Sequence, residues 1–325
     1  MPEYRHNKLT GKTVIIAEER LKRPHQFDIE DNTGGNSSAA EVCPFCPGNE
    51  SETPPLVDLI DGENTWQVRA VPNKYPAVTG CEGSHEVIID TPRHVLSISG
   101  LTENEVTDML RMYQRRLRFY RQEKRRQFVQ IFKNVGAAAG ASLPHSHSQL
   151  IAMPFVPEPW RHILHCAEKY RSETQHCYWC EQLKENLNTG ERIIEESPLF
   201  VALCPYVSRF AAEVEIYPKQ HLSGFDNVEE RELPELAGVL RRTVRRLEKI
   251  VSWMKGTLAY NVVLNTEPLT TEKKDGFPNI EKADFHWYIS ILPGLARAAG
   301  FEWGTGLHIN PVPPEHAARK MRETE

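Results

Sequence analysis

The chain has 325 residues, of which 40% are hydrophobic and 26% charged. A chain of this length can bury about 75% of the surface that its unfolded form exposes, so a stable core needs no disulfide crosslinks. The net charge of -5 gives no electrostatic reason to expect nucleic acid or an anionic membrane as a partner. We therefore expect a protein that acts on small molecules.

The chain has seven cysteines, and their interpretation depends on the compartment in which the protein works. The sequence has no run of 18 apolar residues, and its N-terminal segment lacks the apolar core and cleavage site of a signal peptide, which predicts a cytoplasmic location. Four cysteines form two Cys-x-x-Cys pairs, Cys43 with Cys46 and Cys177 with Cys180. In the cytoplasm such pairs indicate metal binding or redox chemistry rather than structural disulfides.

The segment after the first cysteine pair predicts two strands, a helix and two more strands. The strands are expected at "WQVRAVPNKYPA", "HEVIID", "FVQIF" and "LIAM", which are short and rich in β-formers. The predicted helical segment "ENEVTDMLRMYQRRLRFYRQEKRRQ" has an apolar stripe at helical spacing, which leaves its arginines on an outer face that we expect to be solvated. The stripe consists of Val106, Met109, Leu110, Tyr113, Leu117 and Tyr120.

The same order of elements follows the second cysteine pair. There "LFVALCPYVSRFAA", "EVEIYPKQH", a second amphipathic helix, "LAYNVVLN" and "FHWYISILP" follow one another. Such self-similarity indicates a duplicated unit. We predict an α+β fold of two similar units with antiparallel strands and one packed helix each, the first over residues 1–165 and the second over residues 166–325.

A metal site is predicted in the first half. Two thiolates at this spacing hold one tetrahedral ion when two further soft or borderline ligands complete the site. His94 follows a strand and a Pro turn in "DTPRH", as His221 does in "YPKQH", and this correspondence favours His94 over His85. The fourth ligand is one histidine of "HSH", either His145 or His147.

A second metal site is predicted from the repeat. Its ligands would be Cys177, Cys180, His221 and His286. Measured to the following proline, His286 aligns with His147 rather than His145, so the register stays open by two residues. The alternative for both halves is a pair of buried free thiols beside core histidines.

The segment "PHSHSQ" predicts a reactive histidine beside the first metal site. In an extended segment His145, His147 and Gln149 share one face, and the serines between them share the other. If zinc binds His145, then His147 is held at a fixed offset and remains free to react. A neutral imidazole suits nucleophilic attack on phosphorus, and the Gln149 amide can stabilise the developing charge.

The preceding segment "NVGAAAGAS" predicts a phosphate cradle. Asn134, Gly136, Gly140 and Ser142 are small or polar and allow backbone N–H groups to approach an anion closely. We expect this cradle to lie next to the reactive histidine.

These motifs resemble the galactose-1-phosphate uridylyltransferase family, which is built from two fused histidine-triad-like domains. The resemblance rests on "NKLTGKTVIIAEERLKRP", "CPFCPGNE", "VPNKYPAV", "FKNVGAAAGASLPHSHSQ" and "GFEWGTGLHINPVPPE", and it covers nearly the whole chain. It implies that His147 forms a nucleotidyl-histidine in a ping-pong exchange and that Gln149 binds the transferred phosphoryl group. It also implies zinc on Cys43, Cys46, His94 and His145, and substrate contacts from Arg20, Arg23, Asn73, Asn134 and Ser142.

The function implied by the resemblance is transfer of uridylyl from UDP-glucose to galactose 1-phosphate. The chain departs from better-known members at Ser146, where they have proline, and at His286, which stands where they have a closer cluster of histidines. These departures are more similar to relatives that act as ADP-glucose phosphorylases, so adenylyl transfer to inorganic phosphate is the alternative. A zinc-stabilised binding module without turnover is a third hypothesis. Relatives are commonly dimers, which implies a homodimer here.

Overall fold

The structure is a computed structural model that describes residues 2–22, 43–254, 256, 258–269, 284–295 and 299–324. The strands among these residues are β1 (Glu3–His6), β2 (Thr13–Ile16), β3 (Asp58–Ile60), β4 (Val68–Pro72), β5 (Ser84–Ile89), β6 (Phe128–Val135), β7 (His147–Met153), β8 (Ile193–Glu196), β9 (Phe200–Leu203), β10 (Val214–Pro218), β11 (Tyr260–Asn265), β12 (Tyr288–Pro293) and β13 (His308–Asn310). The α-helices are α1 (Glu103–Gln122), α2 (Glu158–Thr174), α3 (Tyr178–Thr189), α4 (Leu233–Trp253), α5 (Gly300–Thr305) and α6 (Pro314–Glu323).

One antiparallel sheet contains strands from both halves of the chain. Its order is β3-β4-β5-β7-β6-β11-β12-β10-β9-β8, and β1, β2 and β13 form a separate small sheet. Read from either edge inward, the large sheet presents its strands in the same sequence order until β6 meets β11. This confirms the predicted α+β fold and adds a continuous sheet across the two halves. The domain limits at residues 165 and 166 stay a prediction, because α2 runs through them.

Helices α1 and α4 pack together against one face of this sheet. The six apolar residues predicted to form the stripe of α1 are all buried. The helix begins at a capping box in which Thr102 accepts from the Glu105 N–H and the Glu105 carboxylate accepts from the Thr102 N–H. The cap satisfies two backbone donors that would otherwise lack a partner, and the buried stripe supplies the packing energy.

The expectation that the α1 arginines are solvated is wrong for Arg116. Its side chain is 4% exposed and binds Glu86 of β5 at 2.6 Å. Tyr120 donates a further hydrogen bond to the same carboxylate. Arg121 also pairs with a buried acid, Asp226, at 2.7 Å. A cation at the edge of an amphipathic stripe can turn inward when the neighbouring strand supplies a carboxylate.

The opposite face of the sheet carries a smaller apolar cluster. Its buried members are Cys43, Phe45, Trp66, Val71, Val87 and Ile89. Paired residues of neighbouring strands share a face, so Arg69, Ile89 and His147 form one row across β4, β5 and β7. This face therefore presents the predicted reactive histidine. Among the described residues, no helix is long and apolar enough to span a bilayer.

The turn after β6 makes a prediction about stability. Gly136 has a φ of +82°, and a Cβ there would lie 2.3 Å from the Leu258 carbonyl oxygen. We expect Gly136→Ala to lower the free energy of unfolding by about 3 kcal/mol, from left-handed strain plus steric overlap. Gly190→Ala is the matched control, because Gly190 has a φ of +68° and open space around it. It should cost only about 1 kcal/mol. Equal losses in urea denaturation would contradict the steric argument.

Candidate active site

The structure gathers the four predicted ligands of the first metal site. The ligand atoms of Cys43, Cys46, His94 and His145 all lie within 4.8 Å of one another. The Cys46 Sγ is 3.3 Å from the His94 Nδ1 and 3.5 Å from the His145 Nδ1. Such separations match the edges of a tetrahedron whose metal–ligand bonds are about 2.0–2.3 Å long. The His145 Nε2–H donates to the Thr91 carbonyl at 2.9 Å, as expected of a histidine whose other nitrogen faces a metal.

The second half has the same arrangement. The ligand atoms of Cys177, Cys180, His221 and His286 also lie within 4.8 Å of one another. The Cys180 Sγ is 3.2 Å from the His221 Nδ1 and 3.4 Å from the His286 Nδ1. The second nitrogen of His286 donates to the Pro218 carbonyl at 3.0 Å. Both clusters could therefore hold a metal ion. The second cysteine pair opens α3, which follows α2 rather than a strand, unlike a thioredoxin-type redox motif.

The repeat register left open in the sequence is resolved by these contacts. His286 lies two residues before β12, as His145 lies two residues before β7. The alignment of His286 with His147 by distance to proline is therefore wrong, because the segments from the ligand to the proline differ in length. The residue equivalent to His147 is Tyr288. Its ring stacks on Tyr217 with centroids 5.1 Å apart.

His147 is the first residue of β7, and its ring orientation is fixed by its own backbone. The Nδ1–H donates to the His145 carbonyl oxygen at 2.7 Å. In the neutral ring the proton is therefore on Nδ1, and Nε2 has a free lone pair. Phe45 packs against the ring with centroids 5.2 Å apart. Burial lowers the pKa of His147, and the Lys133 ammonium lowers the pKa further, so both effects favour the neutral imidazole.

Gln149 is oriented by His85, a residue that the sequence interpretation had set aside. The Ala77 N–H donates to His85 Nδ1 at 3.0 Å, so the ring proton is on Nε2. That Nε2–H donates to the Gln149 Oε1 at 3.0 Å. The amide oxygen of Gln149 thus accepts from His85, and the amide NH₂ group points away from His85 and can donate to another partner. Asn73 lies beside the pair, with its Nδ2 3.2 Å from the His85 Nε2.

The predicted phosphate cradle follows β6, the strand that pairs with the His147 strand β7. The β6–β7 pairing ends at Phe132 and Gln149, two residues short of Asn134 and His147. Asn261 of β11 donates at 2.9 Å to both the Asn134 Oδ1 and the Ala139 carbonyl. The second half of the chain therefore supports this turn. Within the turn, Gly140 and Ser142 are exposed.

The two arginines predicted near the nucleotide phosphates are not placed at this site by described contacts. Arg20 lies half-buried in a short 3-10 turn, and its N–H donates to the Ala17 carbonyl at 3.0 Å. Arg23 lies outside the described residues. Both remain sequence-based predictions.

A cavity of about 760 Å³ opens on the same face, toward the edge of the sheet. Trp66 and Arg69 line it, together with the segment 53–56. Arg69 is 3% exposed, and its Nη1 has no hydrogen-bond partner among the described protein atoms. Since Arg69 and His147 are two strands apart in one row, about 10 Å separates their backbones.

Comparisons with known proteins decide the family. The family profile described as "Galactose-1-phosphate uridyl transferase, N-terminal domain" matches residues 58–157. The chain is 33% identical to the ADP-glucose phosphorylase of Arabidopsis thaliana, over 99% of this chain and 93% of that protein. The chain belongs to the galactose-1-phosphate uridylyltransferase family. A second family member, the galactose-1-phosphate uridylyltransferase of Thermotoga maritima, is 31% identical over 100% of this chain and 99% of its own.

Solved structures of the family have the same fold. A crystal structure of an Arabidopsis thaliana ADP-glucose phosphorylase with bound ADP-glucose has a TM-score of 0.83 at 32% identity, with both chains fully covered. A uridylyltransferase structure has a TM-score of 0.74 at 25% identity, over 100% of this chain and 98% of that one. This member of the galactose-1-phosphate uridylyltransferase family is therefore an enzyme, a nucleotidyltransferase, as its sequence predicted. Its family membership counts against a binding module without turnover.

Proposed function

We propose that the enzyme carries a nucleotidyl group on His147 between two substrates. The observation that supports this is the hydrogen bond from His147 Nδ1 to the His145 carbonyl, which leaves Nε2 as the nucleophile. Nε2 attacks the α-phosphorus of a nucleotide sugar, and the bond from that phosphorus to the bridging oxygen breaks. The sugar 1-phosphate leaves as a stable anion that needs little protonation. A phosphate oxygen of the second substrate then attacks the same phosphorus and releases the imidazole.

The groups around Nε2 suit the charge that this attack creates. Gln149, with its oxygen held by His85, would donate its NH₂ group to a non-bridging phosphate oxygen. Asn134, Gly140 and Ser142 would contact the phosphates from the neighbouring turn. Arg20, Arg23 and Asn73 complete the proposed substrate contacts. We place the nucleoside toward the cavity at Trp66 and Arg69, where an aromatic ring and a guanidinium are available.

For the substrates, we propose ADP-glucose as donor and inorganic phosphate as acceptor. The full-length likeness to an ADP-glucose phosphorylase at 33% identity and the TM-score of 0.83 to the structure with ADP-glucose support this choice. The second Cys-x-x-Cys pair and the "HSHSQ" form, which resemble those of ADP-glucose phosphorylases, are further features in its favour. UDP-glucose with galactose 1-phosphate is the second candidate. It is favoured by the full-length relative of that name at 31% identity.

We propose that both Cys/His clusters hold zinc. Two thiolates and two imidazoles at tetrahedral separations are a donor set that suits zinc. Four protein ligands close such a site, so the ion supplies structural stability rather than an open coordination position. In the first cluster, His145 would join the metal to the backbone carbonyl that orients His147.

Location and assembly remain proposals. None of the seven cysteines is in a disulfide, which suits the reducing cytoplasm. We propose a homodimer from the family resemblance, and we expect neither a nucleic acid nor a membrane partner.

The nucleotidyl-histidine is tested by retention of label. The protein is mixed with ADP-glucose or UDP-glucose carrying radiolabel in the α-phosphate, and label on the denatured chain is counted. We expect wild type to retain label from ADP-glucose and to release it as ADP when phosphate is added. Label from UDP-glucose, released by galactose 1-phosphate, would favour the second candidate.

The matched variants for this experiment are His147→Ala and His165→Ala. His165 is an exposed histidine on α2, so its loss should leave labelling unchanged. The His147 variant should lose all label while its metal content stays that of wild type. Retention of label by His147→Ala, or its absence from wild type with both sugars, would refute the proposal.

The metal sites predict two zinc equivalents per chain. Cys43→Ser and Cys177→Ser should each lower the zinc content to about one equivalent and lower Tm, because metal binding contributes to folding. Cys81→Ser, at an exposed thiol outside both clusters, should keep two. Elemental analysis of the purified proteins measures the stoichiometry. Full zinc content in either cluster variant would contradict that cluster's assignment.

The contact between His85 and Gln149 predicts a kinetic effect. His85→Phe keeps a ring but removes the donor, so the Gln149 amide can rotate. Loss of a donor that contacts the transition state costs about 100-fold, and a misoriented one should cost less, about tenfold in the labelling rate. Rapid-quench labelling measures this rate. An unchanged rate would show that His85 does not orient the amide.

A further inference from the structure

A buried ion pair lies beneath the strand that carries His147, on the helix side of the sheet. Lys133 of β6 is 1% exposed and Asp90, directly after β5, is 0% exposed. Their Nζ and Oδ2 atoms are 2.6 Å apart. Neither residue was singled out by the sequence. Of the roles described above, Lys133 has only its effect on the pKa of His147, and Asp90 has none.

All three N–H donors of the Lys133 ammonium form hydrogen bonds. Besides Asp90, it donates to the Ser146 hydroxyl oxygen at 2.8 Å and to the His147 carbonyl oxygen at 3.0 Å. Lysine has three donors and no acceptor, so this set is complete. Two of the three contacts are to the segment that holds the nucleophile.

The contact with the His147 carbonyl falls where the sheet opens. The pairing of β6 with β7 ends at Phe132 and Gln149. Two residues further along, His147 would face Asn134 in an unbroken antiparallel ladder. The pairing with β7 is not continued there, although β6 runs on to Val135 beside β11. The Lys133 ammonium supplies the donor that the His147 carbonyl would otherwise receive from a backbone N–H.

Asp90 holds the other side of the same segment. Its carboxylate accepts from the hydroxyls of Ser146 and Ser148, each at 3.0 Å, and its N–H donates to the Ser146 carbonyl at 3.2 Å. Tyr113 of α1 contacts the Ser148 hydroxyl. The two serines of "HSHSQ" thus anchor the strand from the face opposite to the reacting imidazole.

Stability alone is a poor explanation for this pair. Removing two charges from water costs more than their attraction usually returns, and apolar residues of similar volume often serve a core equally well. What apolar residues cannot supply is a directional hydrogen bond to a backbone carbonyl. The contact of Lys133 with the His147 carbonyl is such a bond. Together with the contact to the Ser146 hydroxyl, it holds the segment that carries the His147 side chain.

We propose that Lys133 and Asp90 are positioning residues that set the height and direction of the His147 imidazole for attack on phosphorus. This rests on the proposed role of His147. The pair itself does not touch the substrate, and it acts through the backbone of residues 146–148.

The test replaces the pair by a neutral one, Lys133→Met with Asp90→Asn, so that no charge is left buried alone. We expect the rate of nucleotidyl-histidine formation in single-turnover labelling to fall about 10- to 100-fold, as for other small misplacements of a reacting group. The zinc content and the Kd for the nucleotide sugar should stay within about twofold of wild type, because the substrate contacts are intact.

The matched control is Arg116 with Glu86, the other deeply buried ion pair among the described residues of this half. It joins α1 to β5 and is equally enclosed, at 4% and 5% exposure, but its carboxylate binds Arg116 and Tyr120 rather than residues 146–148. Arg116→Met with Glu86→Gln should lower Tm similarly and leave the labelling rate within about twofold. Equal rate losses in the two double variants would mean a merely structural role and would overturn the inference.

The outcomes also separate this inference from the proposed function. If wild type labels and the Lys133/Asp90 variant labels as fast, only the positioning role fails. If wild type does not label, the role of His147 fails. Should the double variant not fold, Ser146→Ala decides. This change removes one acceptor from Lys133 and one donor from Asp90, and at full metal content we expect a rate at least threefold lower, whereas an unchanged rate overturns the inference.

Discussion

Side chains on residues 145–149 alternate between the two faces of the sheet, and the rest of the site depends on that alternation. His145 and His147 point toward the metal cluster and the open face, while Ser146 and Ser148 point into the core, where Asp90 accepts from both hydroxyls. A shift of one residue would exchange these two sets completely. The register is held by β5 on one side and, beyond the end of the β6–β7 pairing, by the Lys133 ammonium. The candidate metal ligand His145, the proposed nucleophile His147 and the contacts of the ion pair therefore all depend on one backbone segment.

The sequence predicted the α+β fold and the order of elements because both are written in local patterns that occur twice. It did not predict that the halves share one sheet, since the pairing of β6 with β11 joins residues about 130 positions apart and leaves no local trace. The burial of Arg116 was missed for the same reason. Arg116 is buried because it pairs with a carboxylate on another element, β5. The periodicity of the helix sequence gives no information about residues on other elements.

The candidate site divides in the same way. Both Cys/His clusters were predicted from spacing and repeat correspondence, and the structure brings each set together. The contact of His85 with Gln149 was not predicted, because it forms across two paired strands. One signal was present. In "SHEVIID" a histidine near the start of the strand occupies one of the alternate positions that face the same side of the sheet as His147 and Gln149. The pair of Lys133 and Asp90 gave a weaker signal, a lysine in "FVQIFKNV" at the alternate positions otherwise held by Val129, Ile131 and Val135.

The duplicated halves share their Cys/His clusters and differ at the residue two positions beyond the last histidine of each cluster. Where the first half has the imidazole of His147, the second has the phenol of the half-buried Tyr288, stacked on the buried Tyr217. Burial holds the pKa of the Tyr288 phenol far above neutrality, so it has no free anion with which to attack phosphorus. With His147 as nucleophile, each chain can thus bind only one nucleotidyl group covalently. The amount of covalently bound nucleotide then equals the amount of active chain. The second half contributes to the structure of the first, because Asn261 donates hydrogen bonds to Asn134 and to the turn after β6.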